Sequence, residues 1–303
     1  MGEAHTHDHA PTVPASRLPD PGEPIPDLAA PTVAMFGAAT LLFGATLATA
    51  VAGELPYAIA IPLLALANYL FFTVLHDASH RSISQTDAVN KWLGRFSAPF
   101  VTPLASYSVF RFIHMQHHRF TNETDGRDPD AYTTAGPAWQ WPFRWITLDL
   151  SYVAFYVPKL RSRPRAEQVE YAVTLPIVIG LVVAFTLATS VSDLFWLIIV
   201  PGRINVAFLA FAFDWLPHHG LADTPDTNRF RTTRNRVGME RLMTPALIYQ
   251  NYHLVHHMHP LIPFYRYIAA WRRNEEAYLA EDVPLATAGG RRLDADEYRR
   301  RAR

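Results

Sequence analysis

The run Leu55–Leu75, LPYAIAIPLLALANYLFFTVL, holds no charged residue and passes directly into His76-Asp77-Ala78-Ser79-His80. A helix rises 1.5 Å per residue, so about 20 apolar residues cross a hydrocarbon core about 30 Å thick. The run reads as a membrane helix whose last turn carries His76 and His80 on one face, since positions i and i+4 align. Three other runs share its character. Leu28–Gly53 and Tyr171–Ser192 hold no charge, and Leu194–Phe213 is broken only by Arg203. A buried helix of a large soluble protein can imitate one such run but rarely four in two close pairs. The first run starts too late, and lacks the basic flank, for a signal peptide.

The connections Gly53–Pro56 and Ser190–Asp193 are too short for a domain, so the spans are expected as two hairpins. Four crossings put the amino terminus, the stretch His76–Glu170 and the segment Asp214–Arg303 on one side. The chain has 27 Lys and Arg. Eleven lie in the middle stretch, 14 in the carboxyl segment and none in the two hairpin turns. Basic loops stay in the cytoplasm, which places this face, both termini and the histidines there, with the chain in the cell inner membrane. The expected fold is an all-α integral membrane protein: four transmembrane helices in two hairpins under a cytoplasmic, histidine-rich helical cap. Residues 1–30 read as a disordered tail rich in Pro, Asp and Glu. Residues 31–275 read as the membrane domain and 276–303 as a basic tail. Two pieces of the middle stretch are amphipathic, Phe96–Phe112 and Trp139–Val157, and the second carries Trp139, Trp141 and Trp145, which suit the headgroup zone. Arg203 has two readings, an interior polar partner or a kink after Pro201-Gly202, because an unpaired charge at that depth costs roughly 2.5 kcal/mol or more.

Formal net charge is zero and cysteine is absent. The first argues against nucleic-acid binding, which depends on neutralising phosphates. The second excludes disulfides, thiolate metal sites and iron–sulfur ligation. Histidine occurs 14 times. His5, His7 and His9 lie in the polar tail, where a solvated segment is the simpler reading. The other 11 all lie on the cytoplasmic side. After His76 and His80 come His114-Met115-Gln116-His117-His118 and His253-Leu254-Val255-His256-His257, which share one spacing, and the pair His218-His219. Positions i, i+3 and i+4 share a helical face, so each triplet presents imidazoles together. Neutral imidazole suits iron, zinc, copper and nickel, so spacing implies metal without naming it. Eight or nine imidazoles exceed the needs of one ion and imply two. Soluble di-iron bundles use Glu-x-x-His, which occurs nowhere in this sequence.

The pattern His-x-x-x-His, His-x-x-His-His, His-x-x-His-His resembles the membrane fatty acid desaturase superfamily. Asp128-Pro129-Asp130, the run Asp214–His218, Thr227-Asn228-Arg229, the run Gln250–His257 and Pro263-Phe264-Tyr265-Arg266-Tyr267 resemble its beta-carotene hydroxylase branch and neighbouring bacterial fatty acid desaturases. The resemblance covers roughly residues 60–275. It implies metal ligation by His76, His80, His114, His117, His118, His253, His256 and His257, with His218 as a ninth ligand. Asp77, Asp128, Asp130, Asp214 and Asn251 are candidates for orienting them, as metal-bound imidazoles require through their second nitrogen. Asp214 stands where some relatives have an Asn, and a helix-end carboxylate is the alternative. His219 and His259 are left over. No further catalytic side chain is legible.

The implied chemistry is O2-dependent desaturation or hydroxylation of a lipid acyl chain at two non-haem iron ions, with a carotenoid ring hydroxylase as the alternative. A metal transporter is remote, because transporters place ligands at mid-membrane and the four runs contain no histidine. Without a dinucleotide or haem motif, electrons must come from an external donor, ferredoxin or a similar carrier. Arg229, Arg231, Arg234 and Arg236 are a candidate docking patch, lipid headgroup contact being the simpler account.

Overall fold

The computed structural model describes residues 18–302, so His5, His7 and His9 lie outside it. Helix α1, Ala30–Val51, opens with proline in its first turn, where a missing N–H is harmless. After a short turn α2 runs Tyr57–His80 and stops at Arg81, a left-handed residue (φ 59°) whose N–H returns to the carbonyls of Asp77 and Ala78. That cap ends the helix directly after its second histidine. Helix α7, Arg165–Ala188, and α8, Val191–His218, are the other two long apolar helices. All four are long and apolar enough to cross a membrane. Helix α8 contains two wider π turns, at Leu194–Ile199 and Ala210–Trp215.

The amphipathic piece Phe96–Phe112 is split between α3, Asp87–Val101, which continues through Pro99, and α4, Tyr107–Phe120, with Pro103 in the turn between them. The α3 end lies within the bundle. Phe100 stacks on Phe71 of α2 at 4.2 Å and meets Phe43, midway along α1, edge-on at 4.8 Å. Gly94 permits the approach: a Cβ there would sit 2.4 Å from the Tyr107 ring and 3.1 Å from Ala78 Cβ. The chain therefore dips beside α1 and α2 and returns, so that α4 brings its histidines back toward those of α2.

The second amphipathic piece forms α5, Trp141–Ile146, and α6, Leu148–Tyr156. Trp145 packs on Phe211 and Trp215 of α8, whereas Trp139 and Phe143 stay exposed. Arg203 finds an interior partner. Its guanidinium grips both carboxylate oxygens of buried Asp149, one at 2.8 Å, and donates to the Ile146 carbonyl at 2.9 Å. The ion pair thus fastens α6 to α8.

Two expectations need correction. The chain is mostly but not wholly helical: β1 (Asn235–Val237) pairs in parallel with β2 (Leu285–Thr287), which pairs antiparallel with β3 (Arg292–Leu293). Residues 276–303, expected as a basic tail, supply β2, β3 and the helix Ala295–Ala302. Apolar and aromatic side chains among the basic ones cause this. Trp271 stacks on Tyr278 at 5.2 Å and donates from Nε1 to the Tyr298 hydroxyl at 2.9 Å. The described part of the amino-terminal segment is also tied down, Arg266 donating to the Pro24 carbonyl at 2.7 Å and Gln85 to that of Ile25 at 3.1 Å.

Candidate metal centre

Four separate stretches deliver the imidazoles. His76 and His80 end α2; His114, His117 and His118 occupy the last turns of α4; His218 ends α8. His253, His256 and His257 lie on α9, His253–Met258. Helix α9 is seated by Asn235 of β1, whose Oδ1 accepts the Leu254 N–H at 3.0 Å.

The structure brings all nine together. One ligand nitrogen from each of His76, His80, His114 and His256 lies within 4.8 Å of the others, and the same holds for His117, His218, His253 and His257. His118 stands between the two sets, its Nε2 at 3.3 Å from that of His114 and 2.9 Å from that of His256. Inside the sets Nε2 faces Nε2: His80–His114 at 2.7 Å, His76–His256 at 3.1 Å, His117–His257 and His218–His253 at 3.3 Å. His219 and His259 do not join. The first stacks on Trp215 and the second bonds the Tyr278 hydroxyl at 2.8 Å.

The tautomers make this a cation site. His117 Nδ1 donates to Asp128 Oδ1 at 3.0 Å, and His253 Nδ1 to Gln250 Oε1 at 2.8 Å. A neutral imidazole has one N–H, so His253 Nε2 is left with a bare lone pair pointing into the cluster, and His117 Nε2 has one once that ring gives up its second proton. Lone pairs gathered at such distances repel one another unless a cation lies between them. Two sets of four, with one imidazole between, fit two ions.

The electrostatics agree. Burial holds His114, His118, His253, His256 and His257 well below the ordinary histidine range, and neighbouring imidazoles press them lower. These rings stay neutral and available for ligation. His117 is the exception: burial would lower it, but the Asp130 and Asp128 carboxylates together lift it to about 9.

The proposed orienting residues separate into three kinds. Asp128 holds His117 and is itself fixed by the N–H groups of Asn122 (2.8 Å) and Asp130 (3.0 Å). Asp130 lies 3.3 Å from the same His117 nitrogen and accepts from the Tyr152 hydroxyl at 2.7 Å. Asp214 lies beside Asp130 in the wall of a small cavity against the imidazoles, and its Oδ2 has no hydrogen-bond partner among the described residues. Asp77 stands 3.8 Å from His76 Nδ1, too far for a hydrogen bond, and instead accepts from Thr32 Oγ1 at 3.0 Å, tying α1 to α2. Asn251 meets no imidazole; it donates to the Arg236 carbonyl and to Thr244 Oγ1. Two partners went unassigned from sequence, Gln250 on His253 and the Tyr267 hydroxyl on His256 Nδ1 at 3.0 Å. Gln250 sits three residues before its histidine, a spacing that could have revealed it. Tyr267 is 11 residues from its own and had no such signal.

Three of the four arginines of the suggested docking patch are engaged within the fold. Arg231 pairs with Asp223 and Asp282, Arg234 donates to the His219 carbonyl and Arg236 to that of Leu216. Only Arg229 stays exposed.

A family model described as "Fatty acid desaturase" matches residues 52–288. An sn-1 oleoyl-lipid 12-desaturase from a Picosynechococcus strain is 26% identical over 243 residues, 70% of this chain and 67% of that protein. A beta-carotene ketolase from a Paracoccus strain is 26% identical over 218 residues, 68% of this chain and 78% of that protein.

Proposed function

The chain belongs to the fatty acid desaturase family, and from that premise we propose that it is a membrane non-haem di-iron oxygenase that desaturates or hydroxylates a lipid acyl chain. The observation that carries this reading is the pair of four-imidazole sets with His118 between them. His76, His80, His114 and His256 would hold one iron and His117, His218, His253 and His257 the other, with His118 completing the set. Two irons held there would supply O2 activation for attack on an unactivated C–H bond, giving an alkene or an alcohol.

The protein's own part is positional. Asp128, Gln250 and Tyr267 fix three rings by their second nitrogens, as such partners do for metal-bound histidines. Phe72, Phe110 and Phe213 wall one side of the chamber beside the imidazoles, which suits hydrocarbon, while Asp130, Asp149 and Asp214 line it as well. The two electrons each turnover needs would come from ferredoxin or a similar carrier. The distribution of Lys and Arg favours two membrane hairpins with both termini and the histidines on the cytoplasmic face.

A carotenoid ring hydroxylase is the second reading, favoured by the equal likeness to the ketolase and the desaturase. The deciding experiment expresses the chain in a carotene-producing host, analyses pigments and acyl chains together, and counts metal in the purified protein. Altered acyl chains with about two irons per chain are expected. Oxygenated carotenoid with unchanged acyl chains would select the second reading, and zinc as the sole metal would refute both.

A further inference from the structure

The chamber beside the imidazoles is small, about 50 Å³, room for only a few water-sized groups at roughly 10–15 Å³ each. A lipid can place only its reacting segment there. The rest of its chain needs another location, adjoining the first.

The structure has one. Between α1, the turn joining α3 to α4, α7 and α8 lies a cavity of about 640 Å³, within the roughly 300–1,000 Å³ range of ligand sites. Phe43, Phe100, Leu104, Val182 and Ile198 line it. Along α7 its neighbours Ile179, Leu181 and Val183 are each at least half exposed, so the groove opens sideways where lipid would be. Its one charged lining residue, Arg203, is taken by Asp149, which leaves nothing to hold an ionic headgroup. Val101 and Val206 belong to the walls of both spaces. Both are buried, and β-branched side chains have few rotamers, so stiff side chains stand where the two spaces adjoin.

We propose that this groove holds the hydrocarbon chain of the substrate lipid, received laterally from the bilayer. The Val101–Val206 neck sets how far the chain reaches, and so which carbon is attacked. The inference rests on the lipid-oxidising reading above and adds to it the seat of the unreactive part of the chain and two specificity-determining residues.

The test uses iron-loaded protein in phosphatidylcholine vesicles with ferredoxin and its reductase. Val206→Trp is expected to lower kcat/KM at least 100-fold with iron content unchanged, and Val206→Ala to shift the oxidised position along the chain. Leu187→Trp, on the exposed face of α7 outside the groove, serves as the control and should match the wild type. The chain has no cysteine, so a bimane on Ile198→Cys is uniquely placed. Titrated with a doxyl-stearoyl phosphatidylcholine in detergent, it should quench saturably, whereas one on Leu187→Cys should follow lipid mole fraction.

Wild-type kcat/KM in Val206→Trp, or quenching at position 198 that merely tracks position 187, would overturn the proposal. Should Val206→Trp lose its iron, Val206→Ala decides, and an unmoved oxidation site counts against the neck. If the wild type oxidises no lipid yet position 198 quenches saturably, the reaction assignment fails and the groove stands.

Discussion

Replacing Arg203 with Met leaves Asp149 as a carboxylate only 3% exposed with no cation near it. Arg203 donates to both oxygens of that carboxylate and to the Ile146 carbonyl. Deleting one partner of a buried pair costs about 3–5 kcal/mol, because the survivor stays desolvated. The lost bond to Ile146 adds about 1 kcal/mol. The reverse change, Asp149→Leu, should cost less, about 1–3 kcal/mol. The Arg203 side chain is 29% exposed, and its flexible stem can carry the guanidinium toward water. The double variant Arg203→Met/Asp149→Leu replaces the pair by apolar contact and should fall within about 2 kcal/mol of wild type. The two changes therefore interact by at least about 2 kcal/mol, well above the scatter of independent sites. Unfolding of the four proteins by SDS titration in mixed micelles measures the cycle. Additive losses, or an Arg203→Met penalty under about 1 kcal/mol, would refute the view that this pair fastens α6 to α8. The fastening matters to the centre, because α6 also carries Tyr152, the donor to Asp130 beside His117.

Three further outcomes follow from the geometry. Asp128→Asn should weaken metal binding at the set formed by His117, His218, His253 and His257 by about 10- to 100-fold, since the carboxylate holding His117 is lost; anaerobic Fe(II) titration would show it, and an unchanged isotherm would refute it. Gly94→Ala should destabilise the protein by about 1–3 kcal/mol: overpacking against Tyr107 outweighs the roughly 1 kcal/mol gained in helix propensity, and a raised Tm would contradict the contact. The metal-free protein should be acid-labile. His114, His118, His253, His256 and His257 have folded-state pKa values below the usual 6.5, so the unfolded chain binds more protons. Their contribution is complete above pH 6.5 and is lost as pH falls below it. His117, raised to about 9, has the opposite sign: its contribution is complete below pH 6.5 and is lost as pH rises toward 9. Melting curves with and without iron from pH 7.5 to 5 test this, and a flat metal-free profile would count against neutral buried rings.

Much of this protein was written in local pattern. Three charge-free runs and a fourth broken only by Arg203 set the long helices, and the spacing within each histidine group set which imidazoles share a face, because hydrophobicity and helical periodicity need only near neighbours to be read. Partnership across the chain was another matter. His76 meets His256 from 180 residues away, and no spacing rule says that Asp128 should reach an imidazole while Asp77, beside one, should turn to Thr32. Phe96–Phe112 was legible only as amphipathic, and it is stacking of Phe100 on Phe71 and its edge contact with Phe43 that take it into the bundle. The arginines after residue 228 were read by charge alone, whereas acids and carbonyls brought close by folding engage three of them. Such choices belong to packing: side chains from distant segments compete for the same volume and the same hydrogen bonds, and the winners are settled only when every element is in place.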